Sequence, residues 1–174
     1  MRLRPLALHD KLWLGRFLAD PQATGMLVGA QSLHAGQAMS LAARILRNGG
    51  VVAAPVGDES DPVGCAWLSA ASLAFFVIPA GRGRGLGAAL AAAAVREGFE
   101  RRLPVIEARV RYDNAPSLSV LHRLGFVRIG GSAVLDLRLT ATRFAARVAT
   151  DETALAGCNT PDSCGFMMFS KDPS

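Results

Sequence analysis

The run Gly81-Arg82-Gly83-Arg84-Gly85-Leu86-Gly87-Ala88 contains the residue types that hold a phosphate. Glycines let the backbone turn sharply and leave main-chain N–H groups unshielded by a Cβ. N–H groups at a helix start have no intrahelical acceptor, and the helix dipole adds a positive field there, so an anion is favoured. Arg82 and Arg84 bring guanidinium charge to the same donors. The apolar run Leu73-Ala74-Phe75-Phe76-Val77-Ile78 precedes the loop, and an Ala-rich segment ending near Arg102 follows it. The order is strand, glycine loop, helix. It predicts a phosphate-bearing cofactor held at the start of an Ala88–Arg102 helix.

Glycine-rich loops serve several cofactors. The ATP-binding loop needs a Gly-Lys-Ser/Thr ending, and no lysine lies near this segment. The dinucleotide fingerprint G-x-G-x-x-G/A is met by Gly83, Gly85 and Ala88, with Glu107 available as the ribose-binding acid. An Arg/Gly-rich surface loop that merely opens a helix is a third reading. A second constellation lies downstream: Val105-Ile106-Glu107-Ala108-Arg109-Val110, then Asn114-Ala115-Pro116-Ser117, then Val120-Leu121 and Leu124-Gly125-Phe126.

Together the two stretches resemble the GNAT family of acetyltransferases, whose first motif is an apolar strand, a spacer and Arg/Gln-x-x-Gly-x-Gly/Ala. Here that reads Phe75-Phe76-Val77, then Arg82-Gly83-Arg84-Gly85-Leu86-Gly87. The second motif is a strand, an Asn, a short helix and a closing Leu-Gly-Phe. Arg2-Leu3-Arg4-Pro5-Leu6, with Asp20-Pro21 after the next helix, resembles the opening of the Rim-type branch, which acetylates ribosomal-protein N-termini. Glu107-Ala108 and the Asn114 to Ser117 spacing are similar to the same branch. The resemblance is nearly continuous from Arg2 to about Ala149.

The resemblance implies an α+β fold in which a mixed, mostly antiparallel sheet, flanked by helices, binds a coenzyme at a splayed strand pair. It implies acetyl-CoA as co-substrate and an amine acceptor, either a protein N-terminus or a small molecule. Acetyl transfer needs a base for the ammonium, donors for the oxyanion and an acid for the thiolate. By resemblance, the main chain of Phe75, Phe76 and Val77 binds the pantetheine arm. Arg82 to Ala88 bind the pyrophosphate, and the Asn114 side chain reaches the coenzyme. Many family members place a thiolate-protonating tyrosine seven residues after the Asn, but position 121 is Leu121, so Ser117 or a water takes that role. The lone Tyr112 is a further candidate. Some family members carry a glutamate five residues before the Asn, but that position is Arg109 here, which leaves Glu107, two residues earlier on the same strand face, as the candidate base. Its plainer reading is an ion pair with Arg109 or Arg111. Asn114 can equally be a helix N-cap, and Ser117 can bond to local backbone. These substitutions keep a second reading open, a coenzyme-binding module that has lost catalysis.

Composition fits a single domain. A chain of 174 residues that is 51% apolar can bury a sizeable core without staples. Three cysteines in no ligand pattern point to a reducing compartment. No signal-type or membrane-spanning run is visible, which predicts a cytoplasmic protein. The net charge of +5 comes from dispersed arginines, 17 against 2 lysines, with one tyrosine for stacking, and this argues against nucleic-acid binding. No metal site is expected.

These residues must be positioned by the surrounding elements. Met1 to Leu6 reads as a strand. Asp10 is placed to cap a helix with a Trp13, Leu14, Phe17, Leu18 stripe, and Asp20-Pro21 stops it. A second helix is predicted over about Ser32 to Arg47, with Ala38, Leu41, Ala42, Ile45 and Leu46 on one face and Asn48-Gly49-Gly50 as its C-cap. Strands follow around Val51–Val56 and Val63–Ala70, joined by a turn over Gly57 to Pro62. The cofactor strand and helix come next, then a Val105–Arg111 strand, an Asn114–Leu124 helix, and strands near Val127–Ile129 and Val134–Thr140. The domain is read as 1–149. Residues 150–174 read as an appendage, with Phe166 to Phe169 able to dock.

Overall fold

The computed structural model describes residues 1–24, 33–57 and 61–157. Seven strands are seen: β1 (Arg2–Pro5), β2 (Val51–Ala54), β3 (Gly64–Ser69), β4 (Ser72–Val77), β5 (Val105–Arg111), β6 (Val127–Gly131) and β7 (Val134–Thr140). They form one sheet in the order β1-β2-β3-β4-β5-β7-β6. Every neighbouring pair runs antiparallel except β4 and β5, which are parallel. This is the mixed, mostly antiparallel α+β architecture that the sequence predicts.

The parallel pair is short. Only Ser72↔Glu107 and Leu73↔Ala108 are in register, and beyond them β4 and β5 part. β4 stays paired with β3 along its whole length, from Ser69↔Ser72 to Gly64↔Val77. The splay therefore leaves one edge of β4 open.

Helices cover both faces: α1 (Lys11–Ala19), α2 (Pro21–Thr24), α3 (Ala35–Asn48), α4 (Leu86–Glu100), α5 (Ala115–Leu124) and α6 (Ala141–Gly157). One core joins Leu90, Ala91, Ala94 and Val95 of α4 to Ile106, Ala108 and Val110 of β5, with Leu137 and Leu139 of β7. The alanines of α4 let it lie close to the sheet. So does Gly98, where a Cβ would stand 2.6 Å from Leu68 Cδ1 and 2.8 Å from Ile106 Cδ1. On the other face, Leu14, Phe17 and Leu18 of α1 meet Ala38, Ala42 and Ile45 of α3 over Trp67 and Phe76. Each buried Leu or Val in these cores contributes about 1.5–3 kcal/mol relative to leaving it exposed.

Asp10 does not cap α1 with its side chain. A single 3₁₀ turn (Leu8–Asp10) intervenes, and the buried carboxylate instead receives two 2.7 Å hydrogen bonds from Arg4 and one of 2.8 Å from the Ala7 N–H. α3 begins at Ala35, with His34 Nδ1 accepting from the Gln37 N–H; Ser32, the expected start, lies outside the described residues. The imidazole supplies the acceptor that an orphan helix amide needs. Gly49, at φ +84, ends the helix as expected.

β5 and β7 match their predicted spans. Residues 58–60 of the turn before β3 lie outside the described residues. α6 follows β7 without a break and crosses the 149/150 position. Phe144 packs its ring 5.6 Å from that of Phe99, an anchor that no sequence periodicity announced. Residues 158–174, including Cys158, Cys164 and Phe166 to Phe169, lie outside the described residues. Among the described residues, no helix is long and apolar enough to cross a membrane.

Candidate functional site

Where β4 and β5 part, a cleft of about 1600 Å³ opens between α3, the start of α4 and the start of α5. Small-molecule pockets usually measure about 300–1,000 Å³, so this one has room for a long ligand and a second molecule together.

The glycine loop forms one end. Gly83 and Gly85 adopt φ +75 and +73, which a side chain rarely tolerates, and Gly85 is the N-cap of α4. Nothing lies within 4 Å of where either Cβ would be, so conformation and not crowding requires glycine here. Ala88 and Ala89 donate to the Gly85 carbonyl, at 3.1 and 3.2 Å. Among the described residues, no main-chain acceptor takes the N–H of Gly83, Arg84, Gly85, Leu86 or Gly87. Unpartnered amides at the head of a 15-residue helix make an anion cradle. Arg82 borders the cleft, and its Nε donates to the Val77 carbonyl at 3.2 Å, which leaves the rest of the guanidinium fork free for an anion. Gly83, Gly85, Leu86, Gly87 and Ala88 border the cleft as well. Arg84 is exposed and is not among the lining residues.

The open strand edge forms the middle. The Ile78 N–H donates to Val63 O at 2.9 Å, and the Glu107 N–H donates to Ala71 O at 2.8 Å. Those two bonds fix the parity of β4. Its even-numbered residues turn their main-chain groups toward β3, and its odd-numbered residues turn theirs toward β5. Past Leu73, β5 no longer answers, so the Phe75 N–H and C=O and the Val77 N–H face the gap. The main chain of Phe76 is engaged with Cys65 of β3, and its ring stacks 3.4 Å from that of Phe17 in the core. Of the three strand residues singled out from sequence, Phe76 offers the cleft no main-chain donor.

α5 forms the far wall. Asn114 is 8% exposed, and its Oδ1 accepts from the Ser117 N–H at 3.2 Å, so it serves as N-cap and also borders the cleft. Ser117 lines the cleft, and no described residue holds its hydroxyl. Leu121 lines it too and is buried, so the helix presents an apolar side chain at this position. Tyr112 is 65% exposed and does not border the cleft.

Glu107 lies apart from these residues. Arg138 Nη2 donates to its carboxylate at 2.8 Å, both side chains are about half exposed, and Glu107 is not among the lining residues. Arg109 does line the cleft and is tied to Asp136 at 3.2 Å. Arg111 pairs with Asp113, whose carboxyl is held below its ordinary value chiefly by that hydrogen bond.

The sequence matches the acetyltransferase (GNAT) family profile over residues 30–126, more than half of the chain. The chain belongs to the GNAT family. None of the curated proteins matches it in sequence. Solved structures share the fold at low identity. The Brucella melitensis ribosomal-protein-alanine N-acetyltransferase superposes with a TM-score of 0.65 at 20% identity, covering 80% of this chain and 99% of its own. The Vibrio cholerae spermidine N-acetyltransferase, solved with CoA and spermine, gives 0.65 at 14% identity, covering 83% and 97%. Mycobacterium smegmatis RimJ, solved with CoA-disulfide, gives 0.56 at 20% identity, covering 86% and 88%. Within this GNAT domain, the α3 residues Gln37, Ser40 and Arg44 also line the cleft. Sequence reasoning passed over them because it read α3 only for its buried stripe. The signal was present in the polar residues flanking that stripe at helical spacing.

Proposed function

We propose that this GNAT protein transfers an acetyl group from acetyl-CoA to a primary amine. One observation carries the reading: the unpartnered amides of Gly83 to Gly87 and the open edge of β4 lead into the same cleft as the Ser117 hydroxyl. The glycine loop and Arg82 hold the pyrophosphate, and the open edge of β4 pairs with the pantetheine amides as a missing strand would. Arg84 adds long-range charge and not a contact.

Acetyl-CoA supplies the activated acyl group as a thioester. The Phe75 N–H, aimed into the gap and free of any strand partner, stabilises the oxyanion that forms when the amine adds. Ser117 relays a proton to the departing sulfur. Glu107 shares a sheet face with Arg109, but Arg138 occupies its carboxylate, so our reading gives it a structural part. The acceptor ammonium then loses its proton through water.

A coenzyme-binding module without catalysis remains the second reading, favoured by the buried Leu121 and by the Arg109–Asp136 pair. A dinucleotide enzyme is disfavoured, since its fingerprint belongs to a parallel doubly wound sheet and β4–β5 is the one parallel pair among the described residues. The test is thermal protection by acetyl-CoA against NAD and NADP, paired with thiol release in the presence of amines. Acetyl-CoA should protect through native-state binding and release thiol when amine is added. Protection without release supports the inactive module, and better protection by a dinucleotide overturns both readings.

A further inference from the structure

We infer that Arg44 selects the acceptor, favouring amines that carry a nearby carboxylate over polycationic amines. The inference rests on the acetyl-transfer reading and names the substrate class for that same cleft.

α3 buries Ala38, Ala42 and Ile45 against β3 and β4, and this fixes its rotation about its own axis. Gln37, Ser40 and Arg44 then fall at helical spacing on the flank that borders the cleft. Arg44 is exposed, and no described residue bonds or pairs with its guanidinium. Its planar fork of donors matches a carboxylate in two-point geometry.

The face of the sheet decides which ligand meets it. The glycine loop opens α4, and α4 packs with Phe75 and Val77 on one face. α3 packs with Phe76 on the other. Arg44 therefore stands across the sheet from the anion cradle, on the side left for the second substrate. Arg109 faces the same side, because Ile106, Ala108 and Val110 alternate toward α4.

Charge points the same way. Of the four arginines in the described lining, Arg82 is given to the pyrophosphate and Arg109 pairs with Asp136, which leaves Arg44 and Arg123 against one carboxylate, Asp20, which has a partner of its own. A polyamine entering this cleft would meet like charge, whereas a carboxylate beside the reacting amine is drawn in and oriented. Free amino acids and acidic peptide N-termini share that chemistry.

The experiment measures thiol release from acetyl-CoA with three acceptors: glutamate, an Ala-Glu-Asp peptide and spermidine. The wild-type protein should favour at least one carboxylate acceptor over spermidine by tenfold or more in kcat/KM, and the responding arm identifies the source. Arg44→Glu should raise KM for that acceptor at least tenfold, Arg44→Lys should restore part of the loss, and acetyl-CoA should protect all three proteins thermally alike. A wild-type preference for spermidine, or an Arg44→Glu KM equal to wild type, overturns the charge selection and leaves acetyl transfer standing. Thiol release with none of the acceptors, despite coenzyme protection, defeats the transfer reading and this inference with it.

Discussion

Glu107 on β5 and Arg138 on β7 stand directly opposite each other in the antiparallel ladder, joined at 2.8 Å. Two residues along, on the same face, the same two strands set Arg109 opposite Asp136 with the charges exchanged. Opposite charges placed this way each stabilise the pairing of β5 and β7 by roughly 0.2–1 kcal/mol. The one carboxylate that the sequence nominates as a base is thus already part of the sheet's cross-strand charge pattern.

Glu107→Gln should accordingly keep turnover within about threefold, since an exposed ion pair is worth about 0–1 kcal/mol. Steady-state kinetics across pH provide the check. A loss of ~100-fold or more, relieved as pH rises, would return Glu107 to the role of general base.

Ser117→Ala should separate chemistry from binding. The Asn114 cap uses the Ser117 main-chain N–H, so α5 keeps its first turn in the variant. Coenzyme affinity should stay within a few-fold of wild type while kcat falls by ~100-fold, the low end for positioned proton transfer. An unchanged kcat would hand thiolate protonation to water.

Gly85 carries two separable demands. Gly85→Ala meets open space but must hold φ +73, a strain of about 1–2 kcal/mol, and should lower Tm by roughly 2–8 °C. Gly85→Asp adds a negative charge at the anion cradle and should also abolish thermal protection by acetyl-CoA. Retained protection in Gly85→Asp would place the pyrophosphate elsewhere.

Asp10 ties β1 to the start of α1. Burial alone would raise its carboxyl, but the hydrogen bonds from Arg4 and the Ala7 N–H outweigh it and hold the group below its ordinary value. A lowered folded value means stability that is present above the unfolded value and lost as pH falls through the folded one. Asp10→Asn should cost about 1.5–3 kcal/mol near neutrality, because it weakens the charge-assisted hydrogen bonds that Arg4 donates to this side chain. Urea unfolding as a function of pH should show that difference shrinking as pH falls below 3.8. A gap that stays constant to acid would assign the loss to packing.

The sequence by itself determined the strand, glycine loop and α4, the span of β5, and Asn114 at the head of α5. Each is set by neighbours: alternation for the strands, left-handed glycines for the loop, a side-chain acceptor for the helix amide. Only the tertiary structure decided which residues reach the cleft. Phe75 faces the gap and Phe76 does not because β3 pairs with β4 in one register, and a shift by a single residue would exchange them. Glu107 went to Arg138, 31 residues away, and not to the nearby Arg109 or Arg111 that its sequence suggested. Arg44 entered the cleft because the core that α3 shares with α1, Trp67 and Phe76, built from distant segments, fixed the rotation of α3. Dihedral and capping preferences act over a few residues and can be read along the chain. Register and the facing of side chains depend on contacts between distant segments, which exist only once the core has packed.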